Sequence, residues 1–352
     1  MDRNRTIFLT GFPGFIAERL VARLAEGGAR FYLLVQPAFV ETAKRSIGEL
    51  PGDPSRFTIV EGDITQPGLD IAPELLDEIC RETTDVFHLA AVYDLAVAED
   101  VAHAVNVRGT ANVNDLARSL PRLHRYNYIS TCYVAGKREG LIFESELEHD
   151  AGFRNHYEET KYLAEMGVER LKEELPVTVF RPSVVVGDSR TGETAKYDGI
   201  YSLIQYLRKA PKLLRLVNVG NRNVRLNLVP VDFVVDGIAA LSGDDAAAGK
   251  TVALADPAPL ATSELFDVIA ENLSGRRSVV TPPAALTEWS LMLPFTPAIS
   301  GLPHAGVPYF FISQTYDVSL AGDLLAKHGI RCPDLRDYAG NLIRFVNEHP
   351  KL

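Results

Sequence analysis

The residues best suited to chemistry in this sequence are Tyr157 and Lys161, which lie four positions apart at the start of a strongly helical run. Side chains at positions i and i+4 share one face of a helix, so the phenol and the ammonium are predicted to point into one cleft. A phenol with a pKa near ~10 is a poor acid–base catalyst at neutral pH, and a fixed cation nearby lowers that pKa. With 13 tyrosines in the chain, a solvated helix face is the simpler interpretation of this pair taken alone.

A glycine turn follows the first strand-like segment. Residues 6–10 are apolar and β-rich, residues 11–17 read GFPGFIA, and an amphipathic stretch continues to about Ala25. Strand, glycine turn and helix is the context of a dinucleotide-binding turn, in which Gly11 permits the turn and Gly14 lets the backbone approach a pyrophosphate. A Gly-Pro turn before any helix would look similar, so this pattern also depends on its surroundings.

Strand and helix patterns then alternate for almost two hundred residues, which predicts a parallel sheet with helices on both faces. Further strands are predicted at 31–35, 57–60, 85–89, 125–129 and 177–180. Two later segments, 225–230 and 251–255, read as strands that return to the main sheet, with a helix at 232–241 between them. Ligands of open α/β sheets bind at the carboxyl ends of the strands, where strand order reverses.

Composition narrows the classes of function. The net charge of −10 argues against nucleic acid as the main partner. Cys80, Cys132 and Cys332 are scattered, with neither metal-ligand spacing nor a disulfide framework, which favours a reducing, cytoplasmic setting and no metal. The amino terminus shows no apolar signal core, and no apolar run reaches the ~18 residues that a membrane span needs.

Seven short motifs resemble those of the extended short-chain dehydrogenase/reductase superfamily. They are TGxxGxxA at 10–17, GDI at 62–64, HLAA at 88–91, NVxGT at 106–110, ST at 130–131, YxxxK at 157–161 and RPS at 181–183. Four longer segments look most like the fatty acyl reductase and thioester-reductase branch: YISTCYVAG at 128–136, NHYEETK at 155–161, FRPSVVVG at 180–187 and NLVPVD at 227–232.

This resemblance implies a fold and a division of the chain. The fold class is α/β, a doubly wound parallel (Rossmann) sheet with a smaller C-terminal substrate-binding domain. The dinucleotide-binding domain is expected at 1–190 and 225–256, and the substrate-binding domain at 191–224 and 257–352.

It also implies roles for individual residues. Thr131, Tyr157 and Lys161 are the expected catalytic residues, and Tyr93 and Tyr133 the expected substrate contacts. The expected cofactor-binding residues are Gly11, Phe12, Gly14, Phe15, Ile16, Gln36, Asp63, Ile64, Ala90, Ala91, Asn106, Tyr157, Lys161, Pro182, Ser183 and Val184.

Three neighbouring residues allow other interpretations. Ser130 rivals Thr131, and since side chains alternate at an extended strand end, only one of them can face the cofactor; we favour Thr131. His88 ends a buried strand, where a hydrogen-bonded core histidine is the simpler expectation than a base. Cys132 could accept an acyl group, but a free cysteine is more often a small buried hydrophobe.

The function that the resemblance implies is reduction of a carbonyl or thioester carbon in an apolar, fatty acyl-like substrate by NAD(P)H, with coenzyme A or a carrier protein as the acyl carrier. Enzymes that prefer NAD usually have a carboxylate at the end of the second strand, and it would repel the 2′-phosphate of NADPH. In this sequence the residue there is the neutral Gln36, and the cations Lys44 and Arg45 follow on the next predicted helix. NADPH is therefore expected, with NADH left open. Aromatic segments at 289–295 and 308–312 suit an apolar tunnel or a lipid contact, and also fit plain core.

Three alternatives stay open at this point. A nucleotide-sugar epimerase or dehydratase would retain tightly bound NAD, and a ketone or hydroxysteroid-type dehydrogenase would use the same catalytic trio. A dinucleotide-binding sensor without turnover would not need Thr131, Tyr157 and Lys161 together. The sequence also leaves a homodimer open.

Overall fold

The chain folds into a parallel sheet covered by helices on both faces, with further helices after it. The structure is a computed structural model and describes residues 5–197, 199–209, 216–283 and 309–350. The strands are β1 (Thr6–Thr10), β2 (Arg30–Val35), β3 (Phe57–Glu61), β4 (Asp85–His88), β5 (Arg125–Ile129), β6 (Gly140–Ile142), β7 (Val177–Pro182), β8 (Val184–Val186), β9 (Leu228–Pro230), β10 (Thr251–Leu254) and β11 (Gln314–Tyr316).

The helices alternate with these strands along the chain. They are α1 (Phe15–Ala25), α2 (Val40–Glu49), α3 (Pro73–Glu82), α4 (Glu99–Ala102), α5 (Thr110–Ser119), α6 (His156–Leu171), α7 (Ile200–Lys209), α8 (Val231–Leu241), α9 (Thr262–Ser274), α10 (Ser319–Ala326) and α11 (Leu335–Glu348). A π-helical segment, His103–Gly109, joins α4 to α5.

Seven strands form one sheet in the order β10-β7-β5-β4-β1-β2-β3, and every neighbouring pair is parallel. In chain order, the first six strands of this sheet (β1 to β5 and β7) match the predicted segments to within two residues. Strand order reverses between β1 and β4, which is where a ligand site is expected. The predicted doubly wound α/β fold is therefore confirmed.

One strand prediction is wrong. Residues 225–230 were expected to return to the main sheet, but only Leu228–Pro230 is a strand, and it pairs with β8 in a separate two-stranded sheet. Arg225 instead makes an isolated antiparallel bridge with Ala261. The other predicted strand, at 251–255, does return to the main sheet, because β10 pairs with β7 at its edge.

Alternate residues of the central strands pack into two different cores. On β1, Ile7 and Leu9 join one core with α1 and α8, whereas Phe8 joins the core that contains α5 and α6. All five residues of β1 are buried, as expected for a parallel sheet covered on both faces. The backbone turns after the strands are thereby held at one edge of a rigid layer.

A third core lies among α7, α9 and α11, with Ile204, Phe266 and Leu342 among its buried residues. By contrast, Ala321 and Leu324 of α10 pack into the core that contains α1 and α8. The predicted aromatic segment at 289–295 lies outside the described residues.

Candidate active site

The glycine turn after β1 lies against the loop that follows β4. Gly11 has φ +94°, and a Cβ there would come within 2.8 Å of the Ala90 backbone nitrogen. A Cβ on Gly14 would lie 2.7 Å from the Gly11 carbonyl oxygen. Both positions therefore require glycine. Gly14 is the N-cap of α1 and supplies no side chain to it, so the backbone N–H groups at this helix start suit a pyrophosphate.

The residues that follow these glycines line the turn. Phe12 is buried in the core beneath the turn, and Phe15 and Ile16 are half-buried at the start of α1. The turn is thus fixed by apolar packing, which leaves its backbone for a ligand.

His88, at the end of β4, belongs to the supporting core. Its Nδ1 lies 2.7 Å from Thr10 Oγ1 and its Nε2 2.9 Å from Thr110 Oγ1. Burial, with Lys161 as a smaller cause, lowers the pKa of His88 to about 3, so the ring is neutral. The interpretation of His88 as a hydrogen-bonded core histidine is confirmed.

The residues expected around the adenosine lie at the ends of β2 and β3. Asp63 Oδ1 accepts a hydrogen bond from the Thr65 backbone nitrogen at 2.8 Å, and Ile64 is buried against Gly109. Gln36 is exposed at the end of β2. Lys44, on α2, is exposed and pairs with Glu41 at 2.7 Å.

Asn106 supports the loop after β4 through its side-chain amide. The amide accepts from the Val92 backbone nitrogen at 2.9 Å, and donates to the Val92 carbonyl at 3.1 Å and to Thr160 Oγ1 at 3.0 Å. These bonds give Asn106 a structural role in the loop, and its expected contact with the cofactor stays a prediction. The loop that it holds carries Ala90 and Ala91, both half-buried.

The Tyr157 and Lys161 side chains lie in the first turns of α6. Asn155 caps this helix by accepting from the Glu158 backbone nitrogen at 3.0 Å. Thr131, two residues after the end of β5, lies close enough to the half-buried Tyr157 side chain to lower the pKa of its hydroxyl. The predicted catalytic pair is therefore brought together with Thr131 at the carboxyl edge of the sheet.

The pKa of Tyr157 is shifted opposite to expectation. Burial raises it to about 12, although the nearby Thr131 hydroxyl lowers it in part. Lys161 donates instead to the Tyr128 hydroxyl and to the Ile129 carbonyl, both at 2.9 Å, and its own pKa is lowered by burial to about 8. Tyr157 is consequently protonated at neutral pH, the state that a proton donor needs, and its pKa lies further from neutral than that of a free phenol.

Ser130 and Thr131 point in different directions, as the alternation predicted. Ser130 donates to Glu165, a fully buried carboxylate that forms an ion pair with Arg181 at 2.6 Å. Of the two, only Thr131 affects the pKa of Tyr157. The two side chains face different ways as expected, and the choice of Thr131 as the catalytic hydroxyl stays a prediction.

Cys132 is a buried thiol behind this site. Its Sγ donates to the Arg181 carbonyl at 3.2 Å, and burial raises its pKa. A thiol that stays protonated is a poor nucleophile, so the interpretation of Cys132 as a buried hydrophobe is confirmed.

A cavity opens beside the end of β7, where Pro182 is followed by Ser183 and Val184. Its wall includes Tyr133, Ser183, Val184, Asn227, Tyr309 and Tyr316. The buried Ser183 hydroxyl finds no hydrogen-bond partner within the part of the chain that the structure describes. An orphaned hydroxyl at a strand end fits the carboxamide of a nicotinamide.

Tyr133 and Tyr93, the two expected substrate contacts, lie in different surroundings. Tyr133 is in the cavity wall, with its ring 4.6 Å from that of Tyr309. Tyr93 is 58% exposed, and the Lys196 ammonium lies 4.1 Å from the centre of its ring.

Sequence reasoning missed several buried residues around the predicted catalytic residues. Glu165 lies four positions after Lys161 and so shares its helix face, a signal that could have been used. The Tyr128 hydroxyl, which receives the Lys161 hydrogen bond, lies within a recognised strand. No local pattern could connect Glu158 with Tyr309, whose hydroxyl donates to it.

The NAD-binding family model described as male sterility protein matches residues 9–238. The chain belongs to this family. A curated relative, fatty acyl-CoA reductase wat from Drosophila melanogaster, is 27% identical over 283 residues, which cover 69% of this chain and 54% of that protein. The chain thus spans about half the length of that relative.

Solved structures show the same fold. The terminal R domain from the myxalamid PKS-NRPS pathway has a TM-score of 0.84 at 24% identity, covering 99% of this chain and 92% of that one. A thiolation-reductase di-domain from an archaeal non-ribosomal peptide synthetase has a TM-score of 0.76 at 17% identity, covering 99% and 76%. Within the described ranges, no helix is both long and apolar enough to cross a membrane.

Proposed function

We propose that this chain is an NADPH-dependent reductase of an apolar acyl thioester or aldehyde. The observation that carries the proposal is that Thr131, just after β5, lies close enough to Tyr157 to lower its pKa, beside the point where strand order reverses between β1 and β4. Membership of the NAD-binding family supports it, as does the similarity to a protein named as a fatty acyl-CoA reductase.

Each part of the site has a task in this proposal. The Gly11 and Gly14 backbone and the start of α1 hold the pyrophosphate, and the Ser183 hydroxyl holds the carboxamide. Lys161 binds the ribose hydroxyls once a cofactor competes with Tyr128 and Ile129 for its ammonium. NADPH, when bound, supplies a hydride.

Two hydroxyl groups act on the substrate. Thr131 and Tyr157 hydrogen-bond the carbonyl oxygen and stabilise the negative charge that develops there, and Tyr157 donates its proton. A thioester becomes a hemithioacetal, which collapses to an aldehyde and a thiol. A second reduction would convert the aldehyde to an alcohol.

The cofactor preference is proposed to be NADPH over NADH. Gln36 leaves the end of β2 without a carboxylate, and Lys44 and Arg45 lie exposed on the next helix. A 2′-phosphate would therefore meet no repulsion from Gln36 and could recruit these cations.

The carrier, the location and the domain limits are also proposals. Coenzyme A or a carrier protein would present the acyl group, in keeping with the names of the relative and of the thiolation-reductase structure. Three free cysteines suit a cytoplasmic setting. We retain 1–190 with 225–256 as the cofactor domain and 191–224 with 257–352 as the substrate domain.

A substrate panel tests the function. Oxidation of NADPH and NADH would be followed with acyl thioesters of several chain lengths, aldehydes, ketones and nucleotide sugars. The proposal expects the highest kcat/KM with NADPH and a medium or long acyl thioester or aldehyde. Retained NAD in the purified protein, found by mass spectrometry together with turnover of nucleotide sugars alone, would contradict it.

A further inference from the structure

A buried carboxylate lies next to the proposed proton donor and has none of the roles described above. Glu158 follows Tyr157 in the first turn of α6, and its side chain is fully buried. Burying a carboxylate is unfavourable unless donors surround it, so its partners hold it in one place.

The strongest of these partners comes from a distant part of the chain. The Tyr309 hydroxyl donates to Glu158 Oε1 at 2.6 Å. The Arg154 backbone nitrogen donates to Glu158 Oε2 at 2.9 Å, and the Arg154 guanidinium lies 3.5 Å from Oε1. The Asn155 side-chain amide donates to the Tyr309 hydroxyl at 2.8 Å. Tyr309 therefore contacts both the N-cap and the first-turn carboxylate of α6.

The ring of Tyr309 contacts the other side of the site. It packs 4.6 Å from the Tyr133 ring, and both rings line the cavity that contains Ser183. One buried side chain thus joins the cavity wall to the helix turn that carries Tyr157.

We propose that Tyr309 is a positioning residue that fixes the first turn of α6, and with it the Tyr157 hydroxyl, through Glu158 and Asn155. The inference rests on the proposed role of Tyr157 as proton donor. A displacement of a reacting group by ~1 Å can cost on the order of 10²-fold in rate. Loss of the Tyr309 hydroxyl therefore lowers kcat, while the cofactor contacts at the glycine turn are unchanged.

The test compares Tyr309→Phe with Tyr126→Phe. Tyr126 is also a buried tyrosine, on β5, and its hydroxyl donates to Asn114 Oδ1 of α5 at 2.8 Å. We expect Tyr309→Phe to lower kcat by about 10-fold or more, with KM for NADPH within about twofold of wild type. Tyr126→Phe should keep kcat within about twofold of wild type.

Amide hydrogen exchange gives a reading that needs no substrate. In a peptide covering residues 155–165, exchange should be about 10-fold faster in Tyr309→Phe and unchanged in Tyr126→Phe, because only the former loosens this helix turn. If the wild-type protein reduces no thioester, the proposed function fails, and the exchange rates still decide whether Tyr309 positions the turn.

A second variant tests whether the fall in kcat comes from the hydrogen bond between Tyr309 and Glu158. Glu158→Gln keeps an acceptor for Tyr309 but replaces a charge-assisted bond with a weaker neutral one, so a smaller fall in kcat is expected. In that background Tyr309→Phe should cost less than in wild type. Wild-type kcat and wild-type exchange in Tyr309→Phe would overturn the proposal, as would a rise in KM alone.

Discussion

The proposed cofactor side and the proposed substrate side of the cleft are built in different ways. The proposed cofactor side is made of backbone turns at successive strand ends, with Gly11 packed against Ala90. The proposed substrate side is made of side chains from distant segments, such as Tyr133, Tyr309 and Tyr316. Local sequence therefore specifies the first side, and only tertiary packing specifies the second.

Tyr157 stands between the two sides, so its removal should separate chemistry from cofactor binding. We expect Tyr157→Phe to lower kcat by at least about 100-fold, because only the proton-donating hydroxyl is lost. The dissociation constant for NADPH, measured by fluorescence titration, should stay within about twofold of wild type. A variant that keeps more than about a tenth of the wild-type kcat would show that Tyr157 is not the proton donor.

Gly11→Ala should weaken cofactor binding, in addition to the backbone strain that a side chain at φ +94° brings. The new Cβ would lie 2.8 Å from the Ala90 nitrogen, so the turn must move away from the pyrophosphate position. We expect the dissociation constant for NADPH to rise by about 10-fold or more, since a lost charged hydrogen bond costs ~1.5 kcal/mol or more.

A matched control exists for the strain at this position. Gly28 has a similar positive φ of +85°, but an added Cβ there meets no atom within 4 Å. Gly28→Ala should therefore destabilise the fold while leaving NADPH affinity unchanged. Equal losses of affinity in the two variants would mean that strain, and not the close approach to Ala90, explains the requirement for Gly11.

The pH dependence of cofactor use should report Lys161. Burial lowers the pKa of Lys161 to about 8, so its ammonium is charged below that pH and neutral above it. Tyr157, with a pKa of about 12, stays protonated across this range. We expect kcat/KM for NADPH to fall as pH rises through about 8, and this limb to disappear in Lys161→Arg, whose guanidinium stays charged. If kcat/KM for NADPH still falls near pH 8 in Lys161→Arg, the titrating group is not Lys161.

The smallest expected effect concerns the 2′-phosphate. Reversing both Lys44 and Arg45 to Glu should raise KM for NADPH a few-fold and leave KM for NADH nearly unchanged, because only NADPH carries the phosphate. Lys250→Glu serves as a control, since Lys250 precedes β10 at the opposite edge of the sheet. Equal kcat/KM for both cofactors in the wild-type protein would contradict the proposed preference.

The contrast between local turns and distant side chains also explains which features could be predicted from the sequence. The strands of the main sheet were found because continuous apolar runs such as residues 31–35 are buried on both faces. Side-chain alternation at a strand end predicted that Ser130 and Thr131 face different ways, and the resemblance to the superfamily favoured Thr131. Each of these features depends on a few consecutive residues.

Features that depend on distant partners could not be predicted. The apolar pattern of residues 228–230 does not show that the strand pairs with β8 and not with the main sheet. The motif position of Asn106 does not show that its amide is engaged by Val92 and Thr160. The pKa of Tyr157 follows from burial, which spacing along a helix does not reveal.

The transfer of hydride to a thioester carbonyl is the central claim, and isotope labelling tests it most directly. The wild-type protein would be incubated with an acyl thioester and NADPH carrying deuterium at the transferred position, with Tyr157→Phe as the control. The account predicts release of free thiol together with an aldehyde or alcohol that carries one deuterium for each hydride added, and almost no product from Tyr157→Phe. Thiol release without deuterium in the product would show hydrolysis and contradict the account.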